Sequence, residues 1–217
     1  MSAANLLEDV VEAELTLLKI EDEFLDESED AALTAVDQAL QRTMSGSGDA
    51  EEFEIRLRVY ARILGEFEGP RATRLLVQIL GSGAVEAKQE AGEALQALAE
   101  SRFKEVAQAI EECLSATSKP DAKFREAALC ELPYVVSSVN DPQATKLLTK
   151  FLKHSNANVV AAAIEVLAEL GDPACRGALA ALTKDARNVE LEDQSGSTDW
   201  VSLGDLAEEA ISMLRKN

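Results

Sequence analysis

An all-α superhelix (solenoid) of about five to six helical hairpins is the fold this sequence predicts, on three observations. A unit of apolar helix, break and second apolar helix recurs about every 31 to 38 residues, and a period of that size marks a stack of repeats. Equivalent alanines keep the register: Ala128 follows Ala91 by 37 residues, and Ala163 follows Ala128 by 35. Composition agrees, because hydrophobic residues make up 47 % of the chain and aromatics only 4 %. A core of Ala, Leu, Val and Ile suits closely packed helices and argues against a β-sandwich.

The elements follow in order. Residues 5–20 predict an amphipathic helix, with Leu6, Val10, Ala13, Leu17 and Ile20 at spacings of three and four. An acidic stretch runs from Glu21 to Asp30, and Ser28 inside it fits the N-cap of a helix over 29–43 that carries Leu33, Val36 and Leu40 on one face. Residues 1–45 are therefore expected to be an acidic hairpin that caps the array, since a terminal repeat needs a polar outer face. Ser45-Gly46-Ser47-Gly48 reads as a linker. The array proper is expected over 49–217, as one continuous solenoid. Its hairpins pair 51–67 with 70–80, 85–100 with 103–115, 122–138 with 142–154, and 158–170 with 173–184. Pro70 stands at a first helical position, where its missing N–H costs nothing, whereas Pro133 lies inside a helix and is expected to kink it. Residues 186–203 read as a polar inserted loop, after which 204–216 form a C-terminal capping helix.

The leading helices resemble the HEAT-repeat group. Phe124-Arg125, Ala128 and Leu132 match its pattern of an apolar residue, an Arg, an Ala three later and a Leu four after that. Asp121 stands where the group places the acidic partner of that Arg. Ala87-Lys88, Ala91 and Leu95 match with Lys for Arg, and Val159-Val160, Ala163 and Leu167 lack the basic residue. The turn Leu170-Gly171-Asp172-Pro173 is similar to the short HEAT-like repeats of phycobilisome lyases. The resemblance covers about residues 49–217. It implies a solenoid, and these repeats host many functions. The expected function is a noncatalytic protein–protein interaction scaffold or adaptor that binds its partner in the concave groove. A phycobilin-lyase-like chaperone is the alternative, followed by a HEAT-like DNA glycosylase.

Chemistry-bearing motifs are few. Forty acidic and twenty-one basic residues give a net charge of −19, which repels nucleic acid and anionic membranes, so neither is an expected partner. No apolar run reaches the roughly 18 residues of a membrane span, the first residues lack a signal-peptide pattern, and a cytoplasmic location is expected. Cys113, Cys130 and Cys175 are odd in number and widely spaced, which points to free thiols used as small core residues. Metal and cofactor sites are not expected, and His154 closes a helix rather than serving a nucleophile. An enzyme is not expected.

Charge distribution is more telling than its sum. Residues 1–30 carry −10 of the total, while the trailing helices are mostly basic. Trailing helices of stacked hairpins line the inner face. Arg71, Arg74, Lys104, Lys146, Lys150 and Lys153 are therefore the candidate partner-binding residues, suited to an acidic segment of another protein. Trp200, the only tryptophan, is a further candidate: it either seals the terminal core or stands out as an interface anchor.

Overall fold

The computed structural model describes residues 3–46, 49–115, 122–139, 141–192 and 198–214. Helices α1 (Ala3–Leu25), α2 (Glu29–Ser45), α3 (Ala50–Gly65), α4 (Pro70–Leu80), α5 (Val85–Ser115), α6 (Ala122–Val135), α7 (Pro142–Phe151) and α8 (Ala157–Leu170) follow in order. A 3-10 turn (Pro173–Cys175), α9 (Arg176–Ala180), strands β1 (Asn188–Glu192) and β2 (Thr198–Ser202) and α10 (Leu203–Met213) complete the chain. The molecule is an all-α repeat solenoid. Its leading layer stacks α3, the first half of α5, α6, α8 and α10 side by side, and α4, the second half of α5, α7 and α9 form the trailing layer.

The alanine register explains how closely the leading helices stack. Ala91, Ala128, Ala163 and Ala210 are each no more than 2 % exposed, so the small side chain sits where neighbouring elements meet. Gly81 marks another such approach, at the end of α4. A Cβ there would lie 2.1 Å from the Phe124 carbonyl oxygen and 3.1 Å from the Ala128 methyl group.

Local chemistry sets the helix ends. The Asp141 carboxylate accepts from the Gln143 N–H at 2.7 Å, and Asp172 accepts from the Ala174 N–H at 2.9 Å, each just ahead of a proline at the first helical position. Gly171 closes α8 in the left-handed region, at φ 66°. The two helices expected over 85–100 and 103–115 join into α5, bent at Arg102, whose φ of −138° and ψ of 47° interrupt the helical run.

Three elements differ from expectation. α6 stops at Val135, because Pro133 falls in its last turn and the chain leaves the helix through 136–138. The last trailing helix is short, a 3-10 turn and the five residues of α9, with turns over 181–184. The inserted segment is an antiparallel hairpin, with Val189 opposite Val201 and Glu190 opposite Trp200. Alternation puts Val189, 2 % exposed, on the face turned to the helices. Arg187 fastens the hairpin base: it binds the Asp185 carboxylate at 2.6–3.1 Å and donates to the carbonyls of His154 (2.9 Å) and Ser155 (3.0 Å). Asp121 as partner of Arg125, Ser47-Gly48 of the linker, and the last residues of the 204–216 helix lie outside the described residues. No helix among the described residues is long and apolar enough to cross a membrane.

Candidate functional site

Along the outer face of the leading layer, α8 lies in a trough between α6 and α10, with a recess of about 610 Å³. The floor is apolar and low: Ala161 and Ala168 of α8 lie between Cys130 and Tyr134 of α6 and Leu206 and Met213 of α10, with Leu191 of β1 at one end. Four carboxylates line it, Glu131, Glu165, Glu169 and Glu209. The Tyr134 hydroxyl donates to Glu165 Oε2 at 2.5 Å, and the Lys88 ammonium pairs with Glu131 at 2.9 Å. Burial, and then the bond to the Glu165 carboxylate, raise the Tyr134 phenol well above its ordinary pKa. The phenol therefore stays a donor at neutral pH. Glu169 and Glu209 have no ion pair among the described residues, so the trough presents negative charge above an apolar floor.

The sequence singled out the opposite layer. Three of its six candidate cations already serve internal carboxylates. Arg71 binds Asp30 (2.9 Å) and Thr34 (3.0 Å) of α2, Arg74 pairs with Glu112 at 3.6 Å, and Lys150 pairs with Glu111 at 2.6 Å. Lys104, Lys146 and Lys153 are exposed, without an ion pair among the described residues. Lys150 and Lys153 line a recess of about 570 Å³ shared with Glu111, Glu112 and His154. That surface is mixed in charge rather than basic. Trp200 is 67 % exposed on the outward face of the hairpin and does not seal the terminal core.

The trough residues were hard to pick out because carboxylates are so common here. One signal was available. Glu165 and Glu169 are the only charged residues of α8, spaced i, i+4, and on so apolar a helix that pair marks the face left open.

The thiols sit in surroundings that suppress reactivity. Burial pushes Cys113 up to about 11, against a smaller opposing effect of the Arg125 charge. Burial likewise raises Cys130, aided by Glu131 and Glu126, and Cys175, aided by Asp172. His154 is a turn residue whose Nδ1 accepts from the Asn156 N–H at 3.1 Å. No group of three or more His, Cys, Asp or Glu among the described residues is arranged to hold a metal ion.

No curated protein matches the chain. A crystal structure described as that of an engineered protein is similar at 16 % identity, over 91 % of this chain and 97 % of its own, with a TM-score of 0.38. Residues 110–192, from within α5 to the end of β1, match the family model of HEAT repeats. That match does not extend to the phycobilisome-lyase type. With the stacked hairpins around it, the match supports HEAT repeats over those residues.

Proposed function

We propose that this protein is a noncatalytic interaction scaffold that holds a partner protein in the trough over α8. The observation that carries the reading is the pairing of an alanine floor with the rim of Glu131, Glu165, Glu169 and Glu209. Small floor residues let another backbone approach closely, and apolar surface framed by one sign of charge favours a segment carrying the opposite sign. A partner helix with an apolar stripe and flanking Lys or Arg fits that description. The raised thiol pKa values speak for a binding role over nucleophilic chemistry.

A second reading places an acidic partner segment on Lys104, Lys146 and Lys153 of the trailing layer. It is supported by the exposure of those lysines, and opposed by the carboxylates that already neutralise Arg71, Arg74 and Lys150. The bilin-lyase and DNA-glycosylase alternatives gain no support from the trough, because its carboxylates repel anionic pigment side chains and phosphate alike.

Cross-linking and mass spectrometry of the protein captured from its native cell is the test. Partner cross-links should fall on α6, α8 and α10, and the combined Glu165→Lys, Glu169→Lys, Glu209→Lys variant should lose them with helix content unchanged. Undiminished capture by that variant, together with loss of capture by Lys104→Glu, Lys146→Glu, Lys153→Glu, would move the site to the trailing layer.

A further inference from the structure

We infer that α1 is a second docking surface, which takes a basic amphipathic helix of another protein. The helix is 23 residues long, or roughly 34 Å. It is anchored at its C-terminal end, where Phe24 and Leu25 pack on the core and Glu21 pairs with Arg62 of α3. Its earlier turns carry apolar side chains in the open: Leu7 is 63 % exposed, Val11 46 %, Leu15 63 % and Leu18 56 %; Leu17 and Ile20, also exposed, lie across the helix on the side of Phe24. Leu7, Val11 and Leu18 share one stripe, at i, i+4 and i+11. Exposed apolar rows of this extent are a cost to a lone soluble chain and mark an interaction surface.

Charge identifies the occupant. α1 carries seven carboxylates and one basic residue, Lys19. A second copy laid along this helix would set like charge against like, on molecules that each bear −19. Flanking charges choose the partner of a helical seam, and these choose Lys and Arg. This surface is separate from the trough, so a protein that uses both holds two partner segments at once.

The test titrates the full-length chain with two labelled synthetic helices of about three heptads. Both carry Leu at the seam; one has Lys and the other Glu at the flanking positions. The Lys helix should bind at least about tenfold more tightly, and its binding should weaken with added salt. Because the trough also fits a Lys-flanked helix, binding at α1 is read in the Glu165→Lys, Glu169→Lys, Glu209→Lys background, where adding Leu7→Ser, Leu18→Ser should cost about tenfold in affinity with the melting temperature unchanged. Equal binding of the two helices, or binding untouched by the α1 substitutions in that background, overturns the proposal. So does sedimentation that shows a concentration-dependent dimer abolished by those substitutions, since the occupant is then a second copy. Loss of Lys-helix binding in the trough variant alone would assign the peptide to the trough and overturn the inference while sparing the proposed function.

Discussion

The Glu54 carboxylate of α3 caps the next leading helix: it accepts from the Ala87 N–H at 2.8 Å and, through its other oxygen, from the Val85 N–H at 2.9 Å. Two of the first N–H groups of α5, which have no partner within their own helix, are thus satisfied by the preceding hairpin. A negative group also complements the positive end of the helix. The cap therefore acts between repeats. Glu54→Ala should cost about 1 kcal/mol in chemical denaturation, and Glu54→Gln, which keeps one acceptor, should cost less. Identical stability of Glu54→Ala and wild type would show that solvent replaces the carboxylate without loss.

Close stacking at the alanine register makes enlargement costly. Ala128→Leu and Ala163→Leu should each destabilise by roughly 1–3 kcal/mol, because neither site, at 1 % and 0 % exposed, has room for three more carbons. Ala97→Leu, on the exposed side of α5, is the control and should change the melting temperature little. Equal melting temperatures for all three variants would contradict the register.

Two aspartates tie stability to pH. The Ala174 N–H, and then the Thr145 hydroxyl, hold the Asp172 carboxyl below the usual range. Asp185 is held below it by the Arg187 guanidinium and the Arg187 N–H. Their folded pKa values lie under the unfolded value of about 3.9, so the stabilisation is complete above about pH 4. It is lost as pH falls through the folded values, because the unfolded chain takes up protons first. The melting temperature should drop steeply below about pH 4. The gap between wild type and Asp172→Asn, Asp185→Asn should be widest near neutrality and close in acid; a gap independent of pH would rule out this linkage.

We propose that the N-terminal residues cap the array. α2 buries Leu33, Val36 and Leu40 beside α3, and Arg71 of α4 reaches Asp30, Thr34 and Asp37 across the same boundary. Removing residues 1–45 should uncover apolar side chains of α3 and α4, and raise both dye binding and aggregation on heating. A truncated chain as stable and monodisperse as the full one would make the segment an appendage.

Thiol reactivity gives a local check on packing. With Cys113 pushed up to about 11, its reaction with a disulfide reagent at neutral pH should be roughly a hundredfold slower than that of a free cysteine. It should become ordinary once the protein is unfolded. Fast labelling in the folded state would show that α5 opens locally around it.

Much of the fold was legible because helices are local. The apolar periodicity around Ala91, Ala128 and Ala163, the proline and glycine breaks, and Ser28 as an N-cap all act through neighbours a few residues away, so the sequence by itself determined a helical-hairpin solenoid and the order of its parts. The hairpin over 188–202 was missed because short strands surrounded by polar residues give little periodic signal, and Arg187 fixes theirs only by reaching the carbonyls of His154 and Ser155.

Charge partners were the part that only tertiary structure decided. Arg71, Arg74 and Lys150 look like one basic face when counted along the chain, yet Asp30, Glu112 and Glu111 lie 38 to 41 residues away and neutralise them where hairpins stack. The trough arises in the same way: Tyr134 and Glu165, Cys130 and Met213 come together only when α8 settles between α6 and α10. Helix formation depends on residues three and four apart, which a sequence displays. Which charges remain open to a partner depends on distances of a few ångströms between residues far apart in the chain, and packing alone sets those.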